Sequence, residues 1–145
     1  MPELIGSLKL KPNDLLYDIG CGDARLLIHA VRTYGCKAVG IEIDPAIAEK
    51  ARRNVAAAWC ANDIRIVCGD ARKYRYNAPT AVVMYTTPRL LRQVAWKIKT
   101  DRIASWLHGI PGRPTTVVDT QLGPIYVSQP LVTNSKYAGW RVLNR

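Results

Sequence analysis

The stretch LYDIGCGDARLL, residues 16–27, joins a short apolar run to a turn with two glycines and then to an apolar pattern of helical period. Gly20 and Gly22 lie two positions apart, directly after Asp18 and Ile19. Glycine lacks a Cβ, so it permits a tight turn and a close approach of the backbone to a ligand. The stretch therefore predicts either a ligand-binding turn or a turn that is only tight, and residues further along the chain bear on the choice.

Apolar strands and amphipathic helices alternate along most of the chain. Short apolar runs predict strands at residues 14–19, 37–43, 64–70, 80–86 and 115–121. Helical patterns fall at residues 23–34, 44–60 and 88–107, the last of them broken near residues 99–101. This alternation predicts an α/β fold, a Rossmann-like doubly wound and mostly parallel sheet with helices on both faces.

The C-terminal segment departs from that alternation. PIYVSQPLV and GWRVLNR, residues 124–132 and 139–145, predict an antiparallel strand pair at one edge, which makes a seven-stranded sheet. We expect residues 1–145 to form one compact domain. Few residues precede the first strand, which predicts a reduced N-terminal lid.

Charge is distributed unevenly along the chain. Residues 1–70 hold nine Lys/Arg and nine Asp/Glu, whereas residues 71–145 hold twelve Lys/Arg against Asp101 and Asp119. The second half therefore predicts either contact with an acidic macromolecule or a basic surface that only keeps the protein soluble.

Composition argues against several other classes of protein. The four cysteines show no CxxC spacing and the two histidines lie near none of them, so we expect no metal site and interpret the thiols as buried and reduced. No apolar run is long enough for a membrane span, and the N-terminus lacks the pattern of a signal peptide. These features predict a cytoplasmic protein.

Three acidic residues follow successive predicted strands. Asp18 lies at the end of the first strand, Glu42 lies twenty residues after Gly22, and Asp70 ends the third strand. In parallel sheets of this kind, ligands bind beyond the carboxyl ends of the strands. Each acid also has a structural interpretation: Asp18 as a helix cap, Glu42 as a solvated strand end, and Asp70 as part of a Gly-Asp turn.

A glycine turn with a distal acid is also found in dinucleotide-binding domains, but two details disfavour a dinucleotide here. A carboxylate at Asp18 would repel a pyrophosphate and attract an amino group. Arg25 stands where the third glycine of G-x-G-x-x-G belongs, and we expect it to be a surface ion-pair residue.

The segments DIGCGDA, GIEIDP and CGDAR together resemble the class I S-adenosylmethionine-dependent methyltransferases, over residues 14–88. The resemblance implies S-adenosyl-L-methionine as cofactor and S-adenosyl-L-homocysteine as product. It implies cofactor-binding roles, from the methionine end through the ribose to the adenine, for Asp18, Gly20, Cys21, Gly22, Glu42, Ile43, Asp70 and Ala71.

With the strand end VVMYTTP, the chain most resembles the small protein-lysine methyltransferases of archaea and mitochondria. It implies that Tyr85 and Thr86 serve as catalytic residues at the substrate mouth, although an aromatic strand residue such as Tyr85 also suits a core. Arg89 after Pro88 departs from the polar or acidic residue often found there. The (D/N)PP(Y/F) signature of amino-methylating nucleic-acid enzymes is absent from this strand end.

Three functions remain open from the sequence. The first is methylation of a macromolecular acceptor, foremost a protein lysine. The second is nucleic-acid methylation, and the third is a non-catalytic module that binds S-adenosylmethionine. The reduced lid also predicts that a partner subunit or a large substrate closes the site.

Overall fold

The computed structural model describes residues 2–128 and 142–143. Its helices are α1 Pro2–Gly6, α2 Arg25–Tyr34, α3 Pro45–Ala57 and α4 Pro88–Val94, the last continuing into a 3₁₀ turn, Ala95–Lys97. Its strands are β1 Leu15–Ile19, β2 Lys37–Glu42, β3 Ile64–Cys68, β4 Ala81–Met84, β5 Ile103–Trp106, β6 Thr115–Thr120, β7 Gly123–Ser128 and β8 Val142–Leu143.

These strands form one mixed sheet in the order β3-β2-β1-β4-β5-β7-β6-β8. β1 to β5 are mutually parallel, whereas β7 runs antiparallel to β5 and β6, and β8 runs antiparallel to β6. The predicted α/β class, the parallel body of the sheet and the antiparallel C-terminal strands are confirmed, although β7 and β8 each pair with β6 rather than with each other. Seven strands have four to six residues, and β8 adds a two-residue strand at the edge.

The main error of the sequence prediction is β5. Residues 103–106 were expected inside a helix that spans residues 88–107, but the helical segment ends at Lys97 and Ile98 is already extended, with ψ 121°. All four β5 residues are buried between β4 and β7. A short apolar run suits a helix or a strand equally well, and in this case the pairing of the sheet determines the outcome.

Two further points concern the C-terminal residues and membrane-spanning helices. The predicted strand residues 129–132, 139–141 and 144–145 lie outside the described residues. Among the helices that the structure describes, none is long and apolar enough to cross a membrane.

Core residues divide between the two faces of the sheet because strand side chains alternate. On one face, Leu16 packs in a cluster with the buried sides of α1, α2 and α3. On the other face, Tyr17 and Met84 pack in a cluster with Leu91 and Val94 of α4. Helices thus pack on both faces of the sheet, as predicted.

Local sequence signals determine where the helices begin and end. Asp44 caps α3 by accepting hydrogen bonds from the N–H groups of Ala46 at 2.8 Å and Ile47 at 3.2 Å, with Pro45 in the first turn, as predicted. α2 ends at Gly35, whose φ of 69° is a left-handed conformation that glycine adopts readily.

A partly buried ion pair holds together the end of the sheet opposite the carboxyl ends of the strands. Arg102 donates to Asp14 at 2.6 Å and to the carbonyl of Leu8 at 2.6 Å, while Thr80 donates to Asp14 at 2.8 Å. Burial favours the neutral form of Asp14, but hydrogen bonds from Arg102, the Lys11 N–H and Thr80 outweigh it and lower the pKa of this carboxyl. The pair therefore stabilises the fold above about pH 4, and this contribution is lost as the pH falls through the lowered pKa.

We expect Arg102→Gln to lower the free energy of unfolding by about 2–3 kcal/mol, since it leaves a buried carboxylate without its cation. Arg25→Gln is the matched control, because it breaks the exposed ion pair with Asp23 and should cost less than about 1 kcal/mol. Urea unfolding at pH 7 measures both. Equal losses in the two variants would show that the Asp14 pair has no special role.

Candidate functional site

The turn after β1 is built from two glycines with left-handed backbone. Gly20 has φ 79° and Gly22 has φ 55°, conformations that residues with a Cβ rarely adopt. The N–H groups of Gly20 and Cys21 donate to the carbonyl of Ile41, at 2.9 and 3.1 Å. The turn therefore lies across the carboxyl end of β2.

Gly40 makes this close approach possible, and the sequence prediction missed it. A Cβ on Gly40 would lie 2.6 Å from Cys21 Sγ and 2.7 Å from Leu27 Cδ1, well inside van der Waals contact. The available signal was a glycine within an apolar strand, which indicates that another backbone or a ligand comes near.

Glu42 joins the turns that follow β1 and β2. Its carboxylate accepts hydrogen bonds from the Gly22 N–H at 3.0 Å and from the Asp44 N–H at 3.1 Å, one on each oxygen. The residue is 9% exposed, so its interpretation as a solvated strand end is wrong. A carboxylate offers about four acceptor positions, which leaves capacity for a ligand.

Asp18 is the most unusual group of the site. It is 2% exposed, and within the described part of the chain no group donates a hydrogen bond to its carboxylate. Burial, and to a smaller extent the negative charge of Glu42, raises the pKa of Asp18 to about 7. Its interpretation as a helix cap is wrong, since α2 begins after Ala24 with no side-chain cap. A buried carboxylate of this kind favours a positively charged or hydrogen-bonding ligand.

A cavity of about 330 Å³ opens at the carboxyl ends of β1, β2 and β3. Five of the predicted cofactor residues line it: Gly20, Glu42, Ile43, Asp70 and Ala71. Its remaining wall was not predicted and consists of Ile41, Gly69, Arg72, Thr87, Arg89, Leu90 and Gln93. The predicted residues Asp18, Cys21, Gly22, Tyr85 and Thr86 do not line this cavity.

Asp70 fits both interpretations that the sequence left open, a turn residue and a residue of the ligand site. Its carboxylate accepts hydrogen bonds from the Arg72 N–H at 2.9 Å and from the Arg72 guanidinium at 2.6 Å, which is a local turn. The Arg72 side chain lowers the pKa of Asp70 to about 2. The residue also lines the cavity, so the turn presents an ionised carboxylate beside it.

The segment after β4 presents different residues from those predicted. Tyr85 is 53% exposed and its ring lies 5.6 Å from that of Trp106, so its interpretation as a core residue is wrong. The residue of this segment that lines the cavity is Thr87, which also caps α4 by accepting a hydrogen bond from the Leu90 N–H at 3.3 Å.

The four free cysteines differ in burial. Cys21, Cys36 and Cys60 are buried, but Cys68 is exposed, contrary to expectation. Burial, followed by the carboxylates of Asp18 and Glu42, raises the pKa of Cys21 to about 12, which disfavours the thiolate. Within residues 2–128, no three His, Cys, Asp or Glu residues form a group that could hold a metal ion. Arg25 forms an exposed ion pair with Asp23, as predicted.

Comparison with known proteins gives consistent matches. A family model described as the ANTKMT methyltransferase domain matches residues 18–107. A protein-lysine N-methyltransferase of Saccharolobus islandicus is 32% identical over 78 residues, which are 53% of this chain and 48% of that protein. A carboxy-S-adenosyl-L-methionine synthase of Citrobacter koseri is 28% identical over 102 residues, which are 68% of this chain and 41% of that protein.

One solved structure matches nearly the whole chain. It is an RNA methyltransferase from Salinibacter ruber in complex with S-adenosyl-L-homocysteine, 27% identical, with a TM-score of 0.80 over 92% of this chain and 93% of that one. By contrast, the chain spans less than half the length of the two curated relatives named above.

We expect Gly40→Ala to lower the free energy of unfolding by about 1–3 kcal/mol, because the added methyl group displaces Cys21 and with it the glycine turn. Gly69→Ala is the matched control, since its Cβ would meet Val67 at an ordinary 3.9 Å and should change stability by no more than about 0.5 kcal/mol. Thermal and urea unfolding measure both. A tolerated Gly40→Ala would contradict the close approach.

Proposed function

We propose that this chain, which belongs to the ANTKMT methyltransferase domain family, binds S-adenosylmethionine and transfers its methyl group to a macromolecular acceptor. The observation that carries the proposal is the buried, unpartnered carboxylate of Asp18. Leaving a carboxylate buried without a partner is unfavourable, and a ligand ammonium group offsets that cost. The amino group of a methionine moiety has this chemistry, whereas a pyrophosphate does not.

The residues that line the cavity fit the rest of such a cofactor. Glu42 keeps acceptor capacity for a ribose diol. Ile43, which is 63% exposed, and Ala71 supply apolar contacts for a planar base, and Asp70 lies beside them as a hydrogen-bond acceptor. The cavity volume falls within the range of about 300–1,000 Å³ that small ligands occupy. The S-adenosyl-L-homocysteine in the Salinibacter ruber complex supports the same cofactor here.

The bound cofactor would supply an activated methyl group, and the chain would hold the acceptor in line with it. We propose Tyr85 and Thr86 for the acceptor side, because the Tyr85 carbonyl lies 4.0 Å from where a Cβ of Gly20 would be, next to the glycine turn. An amine acceptor must also lose its proton before transfer, so this side of the site must favour the neutral amine.

A protein lysine is the acceptor that we propose first. The relative from Saccharolobus islandicus carries that activity in its name and matches 53% of this chain. Free cysteines, three of them buried, agree with the reducing cytoplasm as the place of action. A partner subunit or the substrate itself would close the site.

RNA is the second candidate acceptor. The Salinibacter ruber protein is described as an RNA methyltransferase, and it matches this chain over nearly its full length. The basic second half of the chain suits a phosphate backbone as well as an acidic protein.

We expect the wild-type protein to bind S-adenosyl-L-homocysteine in calorimetric titration, and Asp18→Asn to weaken binding by about 1–3 kcal/mol through loss of a charged hydrogen bond. Because the carboxylate must be ionised to pair with an ammonium group, the wild-type affinity should fall as the pH is lowered from 8 to 5.5, through the pKa of about 7. Asp18→Asn should lack that dependence.

Asp23→Asn is the matched control for this titration, since it removes a carboxylate of the same turn that pairs with Arg25 at the surface. Its affinity should stay close to that of the wild type. Absence of binding by a folded wild-type protein would refute the cofactor assignment.

We expect label from methyl-labelled S-adenosylmethionine to appear in the protein fraction when the chain is incubated separately with protein and with RNA extracts. Acid hydrolysis should then release methyl-lysine. Label confined to RNA would instead establish the second acceptor. Tight cofactor binding with no transfer to either extract would show a non-catalytic module.

A further inference from the structure

The outer side of α4 carries an exposed strip of cations around one tryptophan. Arg89, Arg92 and Trp96 follow each other at spacings of three and four residues, which places them on one side of the helical segment. Both arginines are exposed, and Trp96 is 79% exposed. We call these three residues the basic–aromatic strip.

Most cations of this region form no ion pair among the described residues. Between Asp70 and Asp101 the sequence has seven Lys/Arg and no Asp or Glu. Among the described residues, the ion pairs of this part of the chain are Arg72 with Asp70, Arg102 with Asp14 and Arg113 with Asp101, so Arg89 and Arg92 remain without a counter-charge. Such a surface favours an anionic partner.

A second basic segment is fixed beside the strip. Lys97 donates hydrogen bonds to the carbonyls of Arg72 at 2.6 Å and Tyr74 at 3.0 Å. These two hydrogen bonds tie the end of the helical segment to the loop that bears the exposed cations Lys73 and Arg75.

The strip also begins at the mouth of the candidate site. Arg89 lines the cavity together with Arg72, Glu42 and Gly20. An anionic chain bound along Arg92 and Trp96 would therefore reach the cavity at Arg89.

We propose that the basic–aromatic strip binds a single-stranded nucleic acid and directs it to the cavity. Arginines suit phosphates, and an exposed indole offers a surface on which an unpaired base stacks, a combination typical of proteins that bind single strands. An acidic peptide would use the cations but has no comparable use for Trp96. The inference rests on the proposed methyl transfer and develops its second candidate acceptor, RNA.

Fluorescence anisotropy with labelled mixed-sequence oligonucleotides, one arm RNA and one arm DNA, tests the strip directly. Trp96→Ala should weaken binding about tenfold through loss of stacking. Arg92→Gln should reduce the slope of log affinity against log salt concentration by about 0.7, the value for one phosphate contact on a single strand. Arg89 is left intact because it lines the cavity.

Matched controls lie on the opposite face of the sheet. Arg53 belongs to α3, and Trp59, which is 92% exposed, follows that helix. α3 packs in the core cluster of Leu16, on the face of the sheet opposite α4. Trp59→Ala and Arg53→Gln should leave binding unchanged. The proposal would be overturned if the strip variants and the control variants lost equal oligonucleotide affinity, or if the wild type bound neither oligonucleotide.

A polyglutamate peptide is the competing probe. If it binds as tightly as the oligonucleotides at equal salt, the surface serves an acidic protein and the proposal is overturned. Titration of S-adenosyl-L-homocysteine into the same variants separates this inference from the cofactor assignment, since Trp96→Ala and Arg92→Gln should leave that affinity unchanged. Oligonucleotide binding by a protein that does not bind the nucleoside would uphold the strip and refute the methyltransferase.

Discussion

The carboxylate of Glu42 is the contact on which the geometry of the site depends. By accepting hydrogen bonds from the N–H groups of Gly22 and Asp44, it holds the turns after β1 and β2 against each other. Gly40 allows the first of these turns to lie close across β2. The negative charge of the same carboxylate adds to the effect of burial in raising the pKa of Asp18, so the interaction that orders the backbone also contributes to the electrostatics at the end of β1.

Strand β1 connects two carboxyl groups with opposite pKa shifts. Asp14, just before the strand, is paired with Arg102 and has a lowered pKa, whereas Asp18, near its other end, is unpartnered and has a raised one. Asp14 therefore contributes to the stability of the fold, and Asp18 carries an electrostatic cost that a ligand can offset. This difference separates the structural end of the sheet from its binding end.

Much of this arrangement could be predicted from residues with strong local signals. The positions of Asp18 and Glu42 near the carboxyl ends of their strands, and the cap at Asp44, follow from apolar runs bounded by turn residues. Asp70 was expected to end the third strand but lies beyond Cys68, where β3 ends. β5 could not be predicted, because its four residues, IASW, become a strand only through pairing with β4 and β7. The α4 wall of the cavity, with Thr87 and Gln93, likewise depends on how the helix packs, which no local pattern encodes.

The central claim is that Asp18 gives up its proton to bind a ligand ammonium group. Calorimetric titration of S-adenosyl-L-homocysteine at pH 6.5, in two buffers with different ionisation enthalpies, measures that proton. With a pKa of about 7 for Asp18, binding should release roughly 0.8 proton from the wild type and none from Asp18→Asn. Equal proton release by the two proteins would contradict the assignment of Asp18 as the anchor of the cofactor.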